Sequence, residues 1–316
     1  MKRSSLPVRF FPDIKLSKSE EKSIAKIVKT SHAFRGLYPS LRGFFKSNSV
    51  KLCGLRAGAK LVSFAYYMNR RWVVQGKEYS GLSIGLVTTI KSCRGKGFAT
   101  VLIKKLEKFA QKSKSDFFYL QGIKNFYNRM GFSGFAPKSK FIFETAEIKP
   151  SKLRVRSANF NDLTKMANLY KNYSTLIHSH TRRDTGLWKD LLGPLKETFL
   201  FYRPKVICNR KGSLLGYFCT SPENSDTIRE FVTKKSAKAF AQCLSAIRSQ
   251  PRFTRQKQIE IFSSFHQEIS EYAQRNSGAT FVLYLRPRSS NMVKILNPNL
   301  KMESLQKTFV LQGDNL

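Results

Sequence analysis

A strand that runs directly into a basic, glycine-containing loop and then into an amphipathic helix is the most constraining feature of this chain. It covers residues 87–100, and its loop glycines are Gly95 and Gly97. A turn of this kind points several backbone N–H groups toward one spot at the positive end of a helix dipole. The segment therefore predicts a strand–loop–helix unit that suits a phosphate or pyrophosphate group.

The spacing of apolar residues predicts a similar order of elements in both halves of the chain. In the first half, a capping-box spacing from Ser17 to Glu20 predicts a helix start. Strands follow, and then a helix from residue 98 to about residue 112 with one apolar stripe. After a linker at residues 147–152, helices and strands follow one another again. We therefore predict a mixed α/β (α+β) fold with two domains in tandem.

The predicted domains comprise residues 1–148 and 149–316, and the chain is long enough for a sizeable core in each. A strand at residues 141–143 is expected to close the first domain. Strands at residues 281–285 and 292–296 are expected to close the second.

The net charge of +37 is extreme, with 57 Lys and Arg against 20 Asp and Glu. Residues 1–150 contain 30 basic and 8 acidic side chains, and residues 151–316 contain 27 and 12. Because the excess is spread over both halves, it is not a basic tail. The electrostatic field of so many positive charges attracts polyanions. A solvated lysine-rich surface explains the same composition, and both interpretations stay open.

The composition argues against membrane and secreted classes of protein. No stretch approaches the roughly 18 consecutive apolar residues of a membrane span, and residues 1–10 lack the apolar run of a secretory signal. The nearest histidines, His178 and His180, have no third metal ligand beside them. We expect a cytoplasmic protein with no metal, and reduced, mostly buried thiols. These are Cys53, Cys93, Cys208, Cys219 and Cys243.

Two motifs of the first half resemble those of one enzyme family. The loop, Arg94-x-x-Gly97-x-Ala99, resembles the acetyl-coenzyme-A loop of the GNAT acetyltransferases. Residues 126–132, Phe-Tyr-Asn-Arg-Met-Gly-Phe, look like the second signature of that family, an FY-x-x-x-GF element. The resemblance implies GNAT-like domains, each with a mixed, mostly antiparallel sheet flanked by helices.

The resemblance also implies acetyl-CoA as the co-substrate. Glycines let the loop backbone approach a pyrophosphate and adopt positive φ, and the basic side chains add charge. In the family, strand residues matching Val87 and Thr89 bond the pantetheine arm through their backbone. The expected cofactor-binding residues are Val87, Thr88, Thr89, Arg94, Gly95, Lys96, Gly97, Phe98, Ala99 and Thr100.

In this family, an amine attacks the acetyl thioester directly, without a covalent enzyme intermediate. Tyr127 matches the tyrosine that serves as general acid in many members, and a phenol with its ordinary pKa of about 10 holds its proton near neutral pH. A core aromatic is the alternative role for this residue. Glu78, near the start of the strand that leads to the loop, is a weaker candidate for a water-activating base. The position favours an exposed turn residue over a base.

The second half lacks both motifs. Residues 228–239 contain a strand and a helix but no glycine at the turn, and residues 271–278 stand where the second signature would be. We therefore predict a degenerate second domain. The tandem layout, with residues 181–184 and Trp188, is similar to that of the enhanced-intracellular-survival acetyltransferases. From the length of the chain we expect the third, sterol-carrier-like domain usual in that group to be missing.

The acceptor and the oligomeric state stay open. Small polyamine-like amines, aminoglycosides, peptide N-termini and protein lysines all fit, although the +37 charge makes a strongly cationic acceptor less favourable. A nucleic-acid-associated protein that uses the fold as a scaffold is the alternative. Transfer of an aminoacyl group from charged tRNA is a third hypothesis, which fits the charge but not the intact coenzyme loop.

Overall fold

The computed structural model describes residues 7–30, 41–134, 138–175, 179–196, 203–220, 227–263, 280–284 and 289–301. The strands of the first half are β1 Val8–Phe11, β2 Lys51–Ala57, β3 Lys60–Val74, β4 Lys77–Thr89, β5 Phe117–Ile123, β6 Ser133–Gly134 and β7 Lys138–Glu144. Its helices are α1 Lys18–Thr30, α2 Leu41–Lys46, α3 Phe98–Lys112 and α4 Lys124–Asn128.

The second half is built from the same kinds of element. Its strands are β8 Arg154–Ser157, β9 Ser179–Arg182, β10 Lys205–Cys208, β11 Leu214–Thr220, β12 Thr227–Thr233, β13 Gln258–Ser263, β14 Thr280–Tyr284 and β15 Ser289–Ile295. Its helices are α5 Leu163–Ser174, α6 Thr185–Leu192, α7 Ala237–Arg248 and α8 Pro251–Thr254.

These elements form two mixed, mostly antiparallel sheets flanked by helices. The strand order is β1-β2-β3-β4-β5-β15-β6 in the first sheet, where β9 also pairs with β3, and β14-β7-β13-β12-β11-β10-β8 in the second. Each sheet has a parallel pair, β4 with β5 and β12 with β13. A helix connects the strands of each pair, α3 in the first and α7 in the second. The predicted mixed α/β fold class is confirmed.

The sheets exchange strands across the chain midpoint. The strand expected to close the first domain, β7, lies in the second sheet between β14 and β13. One strand expected to close the second domain, β15, lies in the first sheet between β5 and β6. Both expectations about sheet membership were wrong, because strand pairing follows edge geometry in space and the apolar pattern carries no information about the partner strand.

Helices α1 and α3 form for local reasons that the sequence contains. At the start of α1, the Ser17 N–H donates to Glu20 Oε2 at 2.9 Å and the Glu20 N–H donates to Ser17 Oγ at 3.2 Å, so the predicted capping box is present. Helix α3 presents its apolar stripe to one face of the first sheet. The buried residues of that stripe are Leu102, Ile103, Leu106 and Ala110.

The two faces of the first sheet pack against different partners. The face toward α3 holds one core cluster, which includes Leu82, Leu120 and Tyr127. The opposite face packs on α1 and α2, and its core continues into α5, α6 and the second sheet. The two halves therefore share a hydrophobic core. In the described part of the chain, no helix is long and apolar enough to cross a membrane.

Candidate active site

The first sheet opens between its two parallel strands. Strands β4 and β5 pair from Gly81 with Phe117 to Ile84 with Leu120. Beyond that point β4 continues against β3, whereas β5 continues against β15. Among the described residues, no strand pairs with the β5-facing edge of residues 85–89. A gap, along which the edge of β4 has no strand partner, therefore begins where the two strands separate.

The backbone of β4 is irregular at the start of this gap. Leu86 has a φ of 52°, in a region that residues other than glycine rarely adopt. The pairing register of β3 with β4 shifts here, between Phe64 and Tyr66. Unfavourable backbone conformations of this kind persist where the surrounding structure enforces them, and they are frequent at functional sites.

The loop after β4 leaves the first turn of α3 without a capping side chain. Gly97 occupies the N-cap position with a φ of 78°, and Gly95 has a φ of 74°. Space is open around both glycines, so the left-handed backbone, and not crowding, is what requires them. The backbone N–H groups of Phe98, Ala99 and Thr100 lie in the first helical turn, where no intrahelical acceptor exists. An anion is favoured at this helix end.

The base of the loop is anchored in the sheet and the core. The Ile90 N–H donates to the Val62 carbonyl at 3.0 Å, and Cys93 is buried in the cluster under α3. The Arg94 Nε donates to the Thr89 carbonyl at 3.2 Å, while its neighbour Lys96 is exposed. Two cationic side chains therefore flank the uncapped helix end.

The second motif places Tyr127 at the end of β5. Helix α4 follows β5 without a break, and a Cβ built on Gly122 of β5 would lie 2.2 Å from Cε2 of Tyr127. The ring also meets Phe126 and Phe132 edge-on, at centroid distances of 4.9 and 5.8 Å. Burial raises the pKa of Tyr127 to about 12. Within the described residues, its hydroxyl has no hydrogen-bond partner.

The loop and Tyr127 meet at the same end of the sheet. Because β4 and β5 are parallel, the segments that follow them leave from the same edge. Val87, Cys93, Phe98 and Tyr127 all belong to the core cluster under α3. The predicted cofactor loop and the predicted acid are therefore brought together by the fold.

The structure does not bring Glu78 to this place. Residues 78 and 85 are seven positions apart on β4, which separates them by about 23 Å along the strand. The Glu78 carboxylate forms an ion pair with Arg182 of β9, and its Oε1 lies 3.6 Å from Nη1 of Arg71. It therefore lies at the opposite end of β4 from the gap, where it stabilises the contact with β9.

A residue that sequence patterns did not identify connects the second motif to α3. The Nζ of Lys294, on β15, donates to the Met130 carbonyl at 3.0 Å and lies 2.6 Å from Oε1 of Glu107 on α3. Its Cε would be 3.2 Å from a Cβ on Gly131. Lys294 is 164 positions from Met130, so no local pattern could have identified it. A strand from the second half thus supports the turn that follows α4, the helix of Tyr127.

We expect Lys294→Met to lower the free energy of unfolding by about 1–2 kcal/mol, because it removes a charged hydrogen-bond donor from the Met130 carbonyl and leaves Glu107 without its partner. The measurement is unfolding of both proteins in denaturant. Lys105→Met, an exposed lysine on α3, is the matched control and should leave the stability unchanged. Equal stabilities of the two variants would show that Lys294 does not support the turn.

The second half has a different helix end at the corresponding place. Ser236 caps α7, and its side chain accepts a hydrogen bond from the Ala239 N–H at 3.0 Å. A backbone N–H of the first turn, which has no side-chain acceptor in α3, therefore has one within α7. The expected counterpart of the second motif, residues 271–278, lies outside the described residues. The described residues contain no group of three or more His, Cys, Asp and Glu that could hold a metal ion.

A known family model matches most of the first half of the chain. Residues 15–135 match the family model described as an acetyltransferase (GNAT) domain, a span that contains both motifs. Among curated proteins, none matches this sequence.

Solved structures share the fold of the whole chain. A GCN5-related N-acetyltransferase from Anabaena variabilis is 15% identical, with a TM-score of 0.64 over 92% of this chain and 73% of that one. Eis1 from Mycobacterium abscessus is 11% identical, with a TM-score of 0.60 over 92% and 73%. Saccharomyces cerevisiae N-myristoyltransferase with bound myristoyl-CoA is 14% identical, with a TM-score of 0.61 over 98% and 89%. At these identities the likeness concerns the fold.

Proposed function

We propose that the part of this chain that matches the acetyltransferase (GNAT) family model, residues 15–135, transfers an acetyl group from acetyl-CoA to a primary amine. One observation carries the proposal. The glycine-capped end of α3 and the buried Tyr127 lie at the same end of two parallel strands that separate there. A GNAT domain uses these two places for the coenzyme and for the departing thiol, respectively.

The coenzyme fits the loop for physical reasons. The pyrophosphate would accept hydrogen bonds from the N–H groups at the start of α3, with added charge from Arg94 and Lys96. The pantetheine arm would lie along the β5-facing edge of β4, where Val87 and Thr89 are half-buried. Phe98 packs against the core cluster under α3. The side chains of Ala99 and Thr100 are small and leave the start of the helix accessible to the coenzyme.

The reaction forms one bond and breaks one. The amine nitrogen attacks the thioester carbonyl carbon, the C–N bond forms, and the C–S bond breaks. The departing sulfur then takes a proton, which we assign to the Tyr127 hydroxyl, and the phenolate left behind regains a proton from water. The raised pKa of Tyr127 keeps the phenol protonated until negative charge develops on the sulfur. The amine proton leaves to water, and we assign no side chain as base, because Glu78 lies far from the gap.

We further propose that residues 1–148 supply the coenzyme site and that residues 149–316 form a degenerate domain. The internal Ser236 cap on α7 supports this assignment. The exchanged strand β15 gives the second half a direct role at the site. The acceptor is a small-molecule, peptide or protein amine, and the net charge of +37 disfavours a strongly cationic one.

Thermal unfolding with acetyl-CoA tests the proposal. A ligand at 100 times its Kd stabilises the folded protein by about 2.7 kcal/mol, so we expect a clear rise in Tm for the wild type. Arg94→Glu should lose most of this shift, because it places a negative charge beside the pyrophosphate. The control is Arg210→Glu, at an exposed position of the second half. It should retain the full shift.

No shift in the wild type, or equal shifts in both variants, would count against the proposal. Salt-dependent binding of RNA or DNA without any coenzyme binding would instead favour a nucleic-acid-associated scaffold.

A further inference from the structure

A buried aromatic pair covers the gap from the face opposite α3. Tyr66 of β3 and Phe44 of α2 stack with their ring centroids 4.9 Å apart and their planes at 14°. Tyr66 is 1% exposed and Phe44 is 2% exposed. Both belong to the core cluster shared by the two halves, together with Leu86. Because it lies in a packed core, the Tyr66 ring is held in place.

The end of the Tyr66 side chain lies directly on the backbone of β4. Tyr66 pairs with Gly85, and a Cβ built on Gly85 would lie 2.3 Å from the Tyr66 Oη and 2.5 Å from its Cζ. Gly85 follows Ile84, the last residue of β4 that pairs with β5, and precedes the irregular Leu86. The phenol therefore occupies the space over the point where the two strands separate, with no room for even one methyl group on Gly85.

The gap is thus bounded by a tyrosine on each face. Tyr127 lies against Gly122 of β5, in the cluster on the α3 face. Tyr66 lies against Gly85 of β4, in the cluster on the opposite face. A pantetheine arm that enters from the end of α3 would place its thioester between them. An acyl chain longer than two carbons would have to continue into the space that Tyr66 fills.

We propose that Tyr66, supported by Phe44, closes the acyl end of the site and restricts the transferred group to acetyl. This inference rests on the proposed function, because it takes the gap as the thioester site. Tyr66 is then a specificity-determining residue that acts by its volume. Extra methylene groups would have to displace a ring stacked in a close-packed core.

Coenzyme binding tests the inference without knowledge of the acceptor. Isothermal titration of the full chain with CoA, acetyl-CoA and hexanoyl-CoA gives three affinities. We expect similar Kd values for CoA and acetyl-CoA and a Kd for hexanoyl-CoA at least about tenfold higher, because overpacking a filled site is costly. In Tyr66→Ala the hexanoyl-to-acetyl ratio should fall to about threefold or less, since the ring that blocks the chain is gone. Tyr66→Phe keeps the ring but removes the Oη that lies over Gly85, so its ratio should lie between those of the wild type and Tyr66→Ala.

Tyr66→Leu decides the question if Tyr66→Ala does not fold, because it keeps apolar volume in the core and still shortens the side chain. Equal binding of hexanoyl-CoA and acetyl-CoA by the wild type would overturn the inference and leave the proposed function intact. A wild-type preference for acetyl-CoA that persists in the alanine or leucine variant would overturn it as well. Absence of any CoA binding would overturn the proposed function and this inference with it.

Discussion

Tyr127→Phe is expected to lower kcat by about 10²- to 10⁴-fold, the usual contribution of a positioned general acid. The Kd for acetyl-CoA should stay unchanged, because the ring and its packing against Gly122 remain. The lost group is the hydroxyl alone. Thiol release with an accepted amine gives kcat, and titration calorimetry gives the Kd.

The control for Tyr127→Phe is Tyr79→Phe. Tyr79 is also buried, at 7% exposure, but lies next to Glu78 at the far end of β4. Its kcat should equal that of the wild type. Because burial raises the pKa of Tyr127 to about 12, the wild-type rate should show no loss from ionisation of this phenol below about pH 10. An unchanged kcat in Tyr127→Phe would assign the residue to the core alone.

Arg183→Met is expected to cost about 3–5 kcal/mol of folding free energy, because it leaves a buried carboxylate without its partner. The two guanidinium Nη atoms of Arg183 each donate to Glu230 at 2.8 Å, and the side chains are 0% and 1% exposed. The Tyr217 hydroxyl donates to the same carboxylate at 2.7 Å. The guanidinium carbon also lies 4.2 Å from the ring centroid of Tyr170 and 5.2 Å from that of Trp188.

Arg182→Met is the neighbouring control. Arg182 also forms an ion pair, with Glu78, but the two side chains are 56% and 36% exposed, so the loss should stay below about 1 kcal/mol. Denaturant unfolding of both variants measures the difference. The double variant Arg183→Met with Glu230→Leu should recover most of the lost stability, because no buried charge then remains uncompensated. Equal losses in Arg183→Met and Arg182→Met would contradict this account.

The Arg183 cluster also explains how the two halves are joined. Residue 183 directly follows β9, the strand that the second half adds to β3 of the first sheet. Glu230 lies on β12 of the second sheet. An ion pair fixed in the shared core therefore holds β9 at the edge of the first sheet. Residues 181–184 contribute to a family resemblance, but the partner of Arg183 is 47 positions away and follows no local rule.

The parts predicted well are those with short-range causes. The capping box at Ser17 needs only residues three apart, and the bounds of α3 follow from its apolar stripe and from Gly97 at its start. The loop geometry follows from glycines that alone adopt positive φ at low cost. These causes act within one helical turn, so one stretch of sequence contains them.

The features that the sequence did not predict depend on pairs of residues that are distant in sequence. Three features join residues more than 100 positions apart. They are the exchange of β7 and β15 between the sheets, the hydrogen bond from Lys294 to Met130, and the ion pair of Glu78 with Arg182. An apolar alternation predicts that a strand exists and which face is buried. It does not predict which edge the strand joins.

By itself, the sequence determined a strand, an uncapped helix end and a basic loop that suits a pyrophosphate, because backbone conformation and capping are local properties. Only the tertiary structure decided that β4 and β5 separate at Gly85, that Tyr66 and Tyr127 bound the gap on its two faces, and that the second half supplies Lys294. The physical reason is that these features come from side chains packed across neighbouring strands. Such packing is fixed by the fold as a whole, through contacts that no single segment encodes.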